Sequence, residues 1–191
     1  MPPTPPATHQ HLAMEAELAD GPCRFVRERL RLPLGQEASF GWLRHPPSVL
    51  VVPRLGDGRL LLLRRWRPAV GRWVLEFPSG PLDPGESAAA AAARLVRGLL
   101  SRGDGSWHLL GQLRPNPGYS DELMTLGWLA LEQGAGDGLA AGALGDPPGG
   151  GSLQLLQCTP EALEARLSAL EEAVDGRSVS AWFLARRRMI F

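Results

Sequence analysis

Two apolar runs in the first third of the chain predict buried β-strands. Residues 48–52 read Ser-Val-Leu-Val-Val, and residues 60–63 are four consecutive leucines. Short apolar runs that end at turn residues are typical of strands covered on both faces. Gly56-Asp57-Gly58 lies between the two runs and favours a tight turn. The pattern therefore predicts a buried β-hairpin.

Alternation of polar and apolar positions precedes this hairpin. In residues 23–32 one face of the predicted strand holds arginines and the opposite face is mostly apolar. A turn then leads to a second short strand through Phe40 and Trp42, and Pro46-Pro47 breaks the chain. Residues 22–46 are therefore predicted to form an antiparallel β arm, followed by a main domain.

A helix is predicted directly after a turn. Residues 80–86 contain two glycines and two prolines, which cannot continue a helix or a strand. Ser87 is a suitable N-cap, and the six alanines Ala88–Ala93 have the strongest helix propensity of any residue type. We call residues 80–101 the box segment.

The second half of the chain predicts three strands, at residues 107–113, 123–131 and 153–157. A long connection separates the last two. Residues 133–152 contain eight glycines and a Pro-Pro pair, and this composition predicts a flexible loop.

Two helices are predicted to close the chain. Thr159 and Pro160 suit the N-cap and first position of a helix that runs to about Val174, where Gly176 would end it. Ser178 is then predicted to cap a last helix.

Composition and charge exclude several classes of function. The 191 residues carry no net charge, so no basic field favours nucleic acid or a membrane surface as a partner. Residues 1–21 are rich in proline and lack the pattern of a secretory leader, which predicts a disordered tail. The two cysteines, Cys23 and Cys158, favour unpaired thiols in a reducing cytosol, so we expect a cytoplasmic protein.

The box segment resembles a known family signature. Gly80, Glu86 and Arg94 have the spacing of the Nudix box, and the apolar Val96 also matches it. At three further helix positions the family carries carboxylates that bind magnesium. This chain has Leu95, Gly98 and Leu99 at those positions, and Ser101 replaces the closing glycine.

The replaced residues matter because positions 95, 98 and 99 share one face of a helix. Magnesium requires hard oxygen ligands, which leucine and glycine side chains do not supply. The box segment therefore resembles a Nudix scaffold without its metal ligands. Taken alone, it also fits an alanine-rich core helix that follows a turn.

Two flanking segments extend the resemblance to the ADP-ribose pyrophosphatase type of Nudix protein, so that it covers roughly residues 23–190. The segment that leads into the box matches at Arg67, Trp73, Glu76, Pro78 and Gly80. A loop after the box matches at Pro117, Gly118, Tyr119, Asp121 and Glu122.

The resemblance implies a fold and an assembly. The fold class is α/β, an α/β/α sandwich around a mixed sheet, formed here by residues 47–191 with the flexible loop 133–152. In this type of protein the N-terminal arm commonly exchanges with a partner, so the resemblance implies a homodimer.

The resemblance also implies site residues. Glu122 would act as the base, and Glu86 is the retained box glutamate, which in the family mostly braces the residue matched by Arg94. Substrate binding would involve Arg64, Arg67, Glu76, Gly80 and Gly118. For Arg67, a surface salt bridge explains the residue equally well. The magnesium candidates are the Ser79 carbonyl, Glu76 and Glu86.

Three functions follow from these observations. The first is a working but altered magnesium-dependent pyrophosphatase that hydrolyses a nucleoside diphosphate sugar with the remaining acids. The second, which we favour, is a protein that binds such a ligand but has lost most or all of the hydrolysis. The third is a purely structural dimer.

Overall fold

The computed structural model describes residues 8–100, 103–135, 142–144, 153–169 and 173–188. The chain divides into two compact units. The first unit contains residues 1–46 and 114–123, and the second contains residues 47–113 and 124–191. Across these described residues, no helix combines the length and the apolar character needed to cross a membrane.

The first unit contains an antiparallel sheet in the order β1-β2-β3. Its strands are β1 (Gln10–Asp20), β2 (Cys23–Arg31) and β3 (Glu37–Arg44). The alternation predicted for β2 is confirmed, because Val26 and Glu28 are buried while Phe25 is exposed. The loop 114–123 extends the β3 edge, where the Leu43 N–H donates to the Tyr119 carbonyl.

The prediction of a disordered tail over residues 1–21 is wrong for Gln10–Asp20, which form β1. This strand pairs with β2 from Gln10 opposite Arg31 to Asp20 opposite Cys23. The sequence carries a strand signal here, because Met14, Ala16 and Leu18 alternate with Glu15 and Glu17, although only Leu12 and Ala13 of β1 are half-buried. Residues 1–7 lie outside the described residues.

The second unit is built on a mixed sheet. Along its main path the order is β10-β11-β5-β4-β9-β8; β7 pairs with β4, β6 with β5, and β12 with β6. The strands are β4 (Ser48–Arg54), β5 (Leu60–Arg67), β6 (Arg72–Glu76), β7 (Ser79–Pro81), β8 (Gly105–Leu113), β9 (Met124–Leu131), β10 (Gly142–Leu144), β11 (Leu153–Cys158) and β12 (Ala173–Val174). The helices are α1 (Ala88–Leu100), α2 (Pro160–Ala169) and α3 (Gly176–Arg188).

Helices cover both faces of this sheet, as the sandwich fold requires. Val49 and Val51 of β4 pack with Ala91, Ala92 and Val96 of α1. Leu50 and Val52 belong to the opposite core, which contains Leu163 of α2 and Trp182 of α3. The continuous apolar run of β4 follows from this two-sided burial.

The predicted last helices need correction. Val174 is not helical, because Ala173–Val174 form β12, which pairs in parallel with β6. Gly176 begins α3 and does not end α2. Ser178 is not the cap of α3; the Asp175 carboxylate accepts the Arg177 N–H, and the Ser178 and Val179 N–H groups donate to the Asp175 carbonyl.

The predicted loop 133–152 falls largely on residues that the structure does not describe. Within it, Gly142–Leu144 form β10, which pairs with β11. Residues 136–141 and 145–152 lie outside the described residues.

Candidate functional site

The loop of the box segment is fixed by its own acid and arginine. Glu86 accepts two hydrogen bonds from Arg94, of 2.8 Å from Nε and 2.7 Å from Nη2, and a third of 3.0 Å from the Asp83 N–H. Arg94 and then the Asp83 N–H lower the pKa of Glu86 from its ordinary value of 4.5 to about 2. Glu86 thus braces Arg94, and both of its carboxylate oxygens are engaged.

Gly80 lies against the helix of the box segment. It is part of β7, opposite Val49 of β4. A Cβ on Gly80 would lie 3.0 Å from a δ carbon of Leu95, so the leucine side chain packs directly on the glycine. Ser79, whose carbonyl was a metal candidate, is half-buried in the same short strand.

The other two replaced positions of α1 differ from each other. Leu99 packs on the apolar group formed by Leu61, Leu63, Leu153 and Leu155. Gly98 is exposed, and a Cβ there would meet no atom within 4 Å. An apolar contact therefore occupies positions 95 and 99, and position 98 contributes no side chain.

Glu76 is buried and surrounded by arginine. Its carboxylate accepts hydrogen bonds of 2.9 and 2.7 Å from Nε and Nη2 of Arg67 at one oxygen, and 2.9 Å from Nη2 at the other. Nε of Arg65 lies 3.4 Å from Oε1 of Glu76. Arg67 therefore makes an ion pair, which was one of its two predicted roles, with a partner that is almost fully buried.

The structure does not bring Arg64 to this group. Side chains alternate across a strand, so Arg64 lies on the opposite face of β5 from Arg65 and Arg67. Arg64 is half-buried opposite Leu75 of β6.

Glu122 lies in the loop that belongs to the first unit. It is buried, its backbone N–H donates to Oγ of Ser120 at 3.1 Å, and its Oε1 lies 3.8 Å from Nδ1 of His45. Asp121 accepts the His45 N–H at 2.8 Å through its carboxylate. The two acids are thus tied to the end of β3 and its extension.

A cavity of about 450 Å³ opens in the first unit beside this loop. Gly118, Tyr119 and Asp121 line one side of it, and Phe40 and Trp42 of β3 line another. Gly118 therefore lines a cavity, and its role in substrate binding stays a prediction.

Comparisons with known proteins identify the family. A model of the NUDIX domain matches residues 44–98. Over 97 residues, the chain is 31% identical to the ADP-ribose pyrophosphatase of Mycobacterium tuberculosis (strain ATCC 25618 / H37Rv), a match that covers 50% of this chain and 47% of the relative. The chain therefore contains a NUDIX domain.

Two further proteins are similar to this chain. The methanol dehydrogenase activator of Bacillus methanolicus is 25% identical over 97 residues, which cover 51% of this chain and 52% of that protein. A crystal structure of an ADP compounds hydrolase superposes with a TM-score of 0.73 at 22% identity and covers 97% of this chain and 96% of that one. At this identity the structural match establishes the fold alone. The chain spans about half the length of the curated relatives it matches.

The residues at the Nudix box do not fit a magnesium ion. Arg94 holds Glu86, and Arg67 holds Glu76, so neither acid presents a free carboxylate. Leu95 packs on Gly80 where the family has a glutamate. Among the described residues, no group of three or more His, Cys, Asp or Glu side chains is arranged to hold a metal ion.

The sequence reasoning missed two arginines, one beside Glu76 and one beside Asp175. Arg65 and Arg67 are two residues apart on β5, and this i, i+2 spacing could have placed both on one face of the sheet. Arg177 pairs with Asp175, with Nη2 3.0 Å from Oδ2, at the start of α3. No local pattern could have placed Arg177 next to β6, because the pairing of β12 with β6 joins segments about a hundred residues apart.

Proposed function

We propose that this Nudix protein binds a nucleoside diphosphate sugar, ADP-ribose first, and hydrolyses it weakly or not at all. One observation carries the proposal: Leu95 packs on Gly80 at the position where the family has a metal-binding glutamate. Hydrolysis in the family uses magnesium to polarise the diphosphate and activate water. A helix face of leucine and glycine removes the ligands for that ion.

The class of ligand is proposed from the relatives. One is named an ADP-ribose pyrophosphatase and the structural neighbour an ADP compounds hydrolase. The segments that match this type, around Arg67 and around Gly118, are both present and ordered among the described residues. Retention of the ligand site without the metal site would give a binding protein.

A second function has its own support. Glu122 is buried beside His45, and a buried acid next to a histidine is an arrangement that can exchange a proton. An altered pyrophosphatase could use Glu122 as its base, as the family resemblance implies. A purely structural dimer, the third possibility, has no such observation in its favour.

A hydrolysis assay distinguishes these functions. Purified protein is incubated with ADP-ribose and magnesium, and AMP release is followed beside an intact Nudix ADP-ribose pyrophosphatase. We expect turnover far below that of the intact enzyme. Robust turnover that is lost in Glu122→Gln but persists in Leu95→Ala would replace the proposal with the altered enzyme.

Binding is measured separately from turnover. A ligand that binds only the native state stabilises it, by roughly 2.7 kcal/mol when the ligand concentration is a hundred times Kd. The melting temperature rises as a result. We expect ADP-ribose to raise the melting temperature and glucose to leave it unchanged. A protein stabilised by neither ligand would support the structural dimer.

A further inference from the structure

Three arginines and two carboxylates of the second unit form one electrostatic group, in which Arg177 of the Asp175 pair acts on Arg65 of the Glu76 pair. We call this group the arginine cluster; its members are Arg65, Arg67, Arg177, Glu76 and Asp175. Arg67 and Arg65 both contact Glu76, and Arg177 forms a pair of hydrogen bonds of 3.0 Å with the Asp175 carboxylate. The two acids are largely buried, while each arginine side chain keeps about a third of its surface exposed.

The arginine cluster lies on the face of the sheet that α1 covers. Leu63 is opposite Glu76 in the β5–β6 pair, so the two side chains share a face, and Arg65 and Arg67 follow Leu63 on it. Leu63 packs with Leu99 of α1. The cluster is therefore next to the helix face from which the metal-binding carboxylates are missing.

The charges in the cluster are not balanced. Among the described residues, Arg65 and Arg67 share the single carboxylate of Glu76, which leaves one net positive charge at that carboxylate. Burial is the largest cause that lowers the pKa of Arg65; the charges of Arg67 and Arg177 lower it further, and Glu76 raises it. Because arginine stays protonated at neutral pH, this repulsion is retained and an added anion would relieve it.

The hydrogen bonds also fix the direction of the guanidinium groups. Arg67 uses Nε and Nη2 on Glu76, and among the described residues its Nη1 makes no hydrogen bond. Nε of Arg65 is buried and makes no hydrogen bond in the described part of the chain. It lies 3.4 Å from Oε1 of Glu76, with which it forms an ion pair. Arginines held in this way present preset donors to a phosphate.

The geometry points to a metal-independent diphosphate site, in which Arg65 and Arg177 join Arg67 to neutralise the diphosphate of a nucleoside diphosphate sugar in place of magnesium. This inference rests on the proposed function, because it specifies how that ligand is held. Glu76 and Asp175 act as positioning residues, which orient the arginines and do not contact the ligand.

The first test compares binding with and without metal. Calorimetry measures the Kd of ADP-ribose for the full chain in magnesium and again in EDTA, and inorganic pyrophosphate serves as the minimal probe. We expect both probes to bind. The Kd of each probe should differ by less than about twofold between magnesium and EDTA, so the binding free energy should be nearly the same in both. Binding that needs magnesium would overturn the inference and leave the proposed function intact.

The second test removes one arginine. Arg65→Gln is expected to weaken the binding of both probes roughly tenfold or more, because a hydrogen bond to a charged group is lost. Arg65→Lys, which keeps the charge, should lie between wild type and Arg65→Gln. Arg59→Gln is the matched control, since Arg59 is an exposed arginine that pairs with Asp57 in the β4–β5 turn; its affinity should equal that of wild type.

Three results would overturn the inference. They are equal affinities in wild type and Arg65→Gln, an equal loss in Arg59→Gln, or no binding of either probe in EDTA. If Arg65→Gln fails to fold, which a melting curve reveals, the Arg65→Lys variant and the EDTA comparison still decide the question. Turnover with magnesium as fast as that of an intact Nudix ADP-ribose pyrophosphatase would instead contradict the proposed function.

Discussion

Arg94, followed by the Asp83 N–H, lowers the pKa of Glu86 to about 2. Through Glu86, the stability of the box segment is expected to depend on pH. A group whose pKa is lower in the folded state stabilises the fold above its unfolded pKa. That contribution is lost as the pH falls through the folded value. For Glu86 the loss is expected between about pH 4.5 and about pH 2.

We predict that Glu86→Gln reduces the stability of the protein at neutral pH and flattens its dependence on acid. The neutral amide cannot form the charged pair with Arg94, so the variant has no carboxylate to protonate there. Urea unfolding at pH 7 and at points down to pH 2 measures the difference. The difference in free energy of unfolding between wild type and variant should become smaller toward pH 2. This difference should be modest, because the Glu86–Arg94 pair is partly exposed to solvent.

Glu132→Gln is the control for this experiment, since Glu132 is an exposed glutamate. Glu132→Gln should change neither the urea midpoint at neutral pH nor the way that stability falls with decreasing pH. A gap between wild type and Glu86→Gln that stays constant down to pH 2 would contradict the prediction.

The residue contacts divide into those that sequence could predict and those that it could not. The pairing of Glu86 with Arg94 follows from the spacing of a known signature on a turn and its helix. The ion pair of Arg67 with Glu76 was one of two open readings. The spacing of Arg65 and Arg67 could have placed both on one face of β5. The position of Arg177 depends on the pairing of β12 with β6, which no spacing within one segment encodes.

At the scale of elements, α1 shows what remains of the box. Its propensity and its Ser87 cap were correctly predicted, and Oγ of Ser87 accepts the Ala90 N–H at 3.2 Å. Its apolar face is wider than the family signature requires, because Leu95 and Leu99 extend the contacts of Ala91, Ala92 and Val96. Packing occupies the helix face on which the Nudix resemblance implies metal-binding carboxylates.

We predict opposite effects from one methyl group at the two box glycines. Gly98→Ala should stabilise the protein by about 0.5–1 kcal/mol, because alanine costs less backbone entropy in a helix and its Cβ meets open space. Gly80→Ala should destabilise it, because the Cβ would lie 3.0 Å from Leu95. Urea midpoints measure both effects.

The pair of substitutions is its own control, since each adds the same methyl group. Gly80→Ala should cost less stability in a Leu95→Ala background than in wild type if the steric contact is the cause. An equal cost in both backgrounds would mean that Gly80 is required for a reason other than Leu95.

The elements that the sequence analysis misplaced have weak local signals. β1 alternates at Met14, Ala16 and Leu18, but it is mostly exposed and follows a proline-rich stretch of sequence. Residues 173–174 read as the end of a helix and became β12, because their backbone pairs with β6 only in the folded chain. The buried strands and α1 were predicted well, since two-sided burial and alanine content are visible in any short window.

We predict that returning the carboxylates restores metal binding at the cost of stability. The triple change Leu95→Glu, Gly98→Glu and Leu99→Glu places three acids on one face of α1. Two of them replace half-buried leucines, so unpaired charge should destabilise the protein by several kcal/mol. The variant should melt lower than wild type in EDTA and gain melting temperature on addition of magnesium.

Leu95→Gln, Gly98→Gln and Leu99→Gln together form the matched control, with similar shape and no charge. The glutamine variant should show no magnesium-dependent shift. A glutamate variant that folds normally and also shows no shift would mean that the site has been remodelled, and its Nudix chemistry could not be recovered by ligands alone.

At the scale of the whole molecule, the first unit has more exposed apolar surface than a small sheet needs. Leu18 of β1 is 70% exposed and lies opposite Phe25 of β2, which is 52% exposed. Phe40 of β3 is also exposed. β1 is an edge strand of its sheet, and an edge with apolar neighbours is a surface to which a second chain can be added.

We therefore predict a homodimer formed through residues 22–46 together with the paired strand β1. Light scattering at micromolar concentration should give twice the 20.6 kDa mass of the chain. Replacing Leu18 and Phe25 together by lysine should shift the mass to that of a monomer, because burying two cations in an apolar interface is unfavourable. Leu34→Lys is the matched control: Leu34 is 87% exposed at the turn between β2 and β3, and its loss should leave the dimer intact. A wild-type monomer, or a dimer that tolerates the double lysine variant, would exclude this surface as the interface, and the exposed residues of the sheet would then need a different partner.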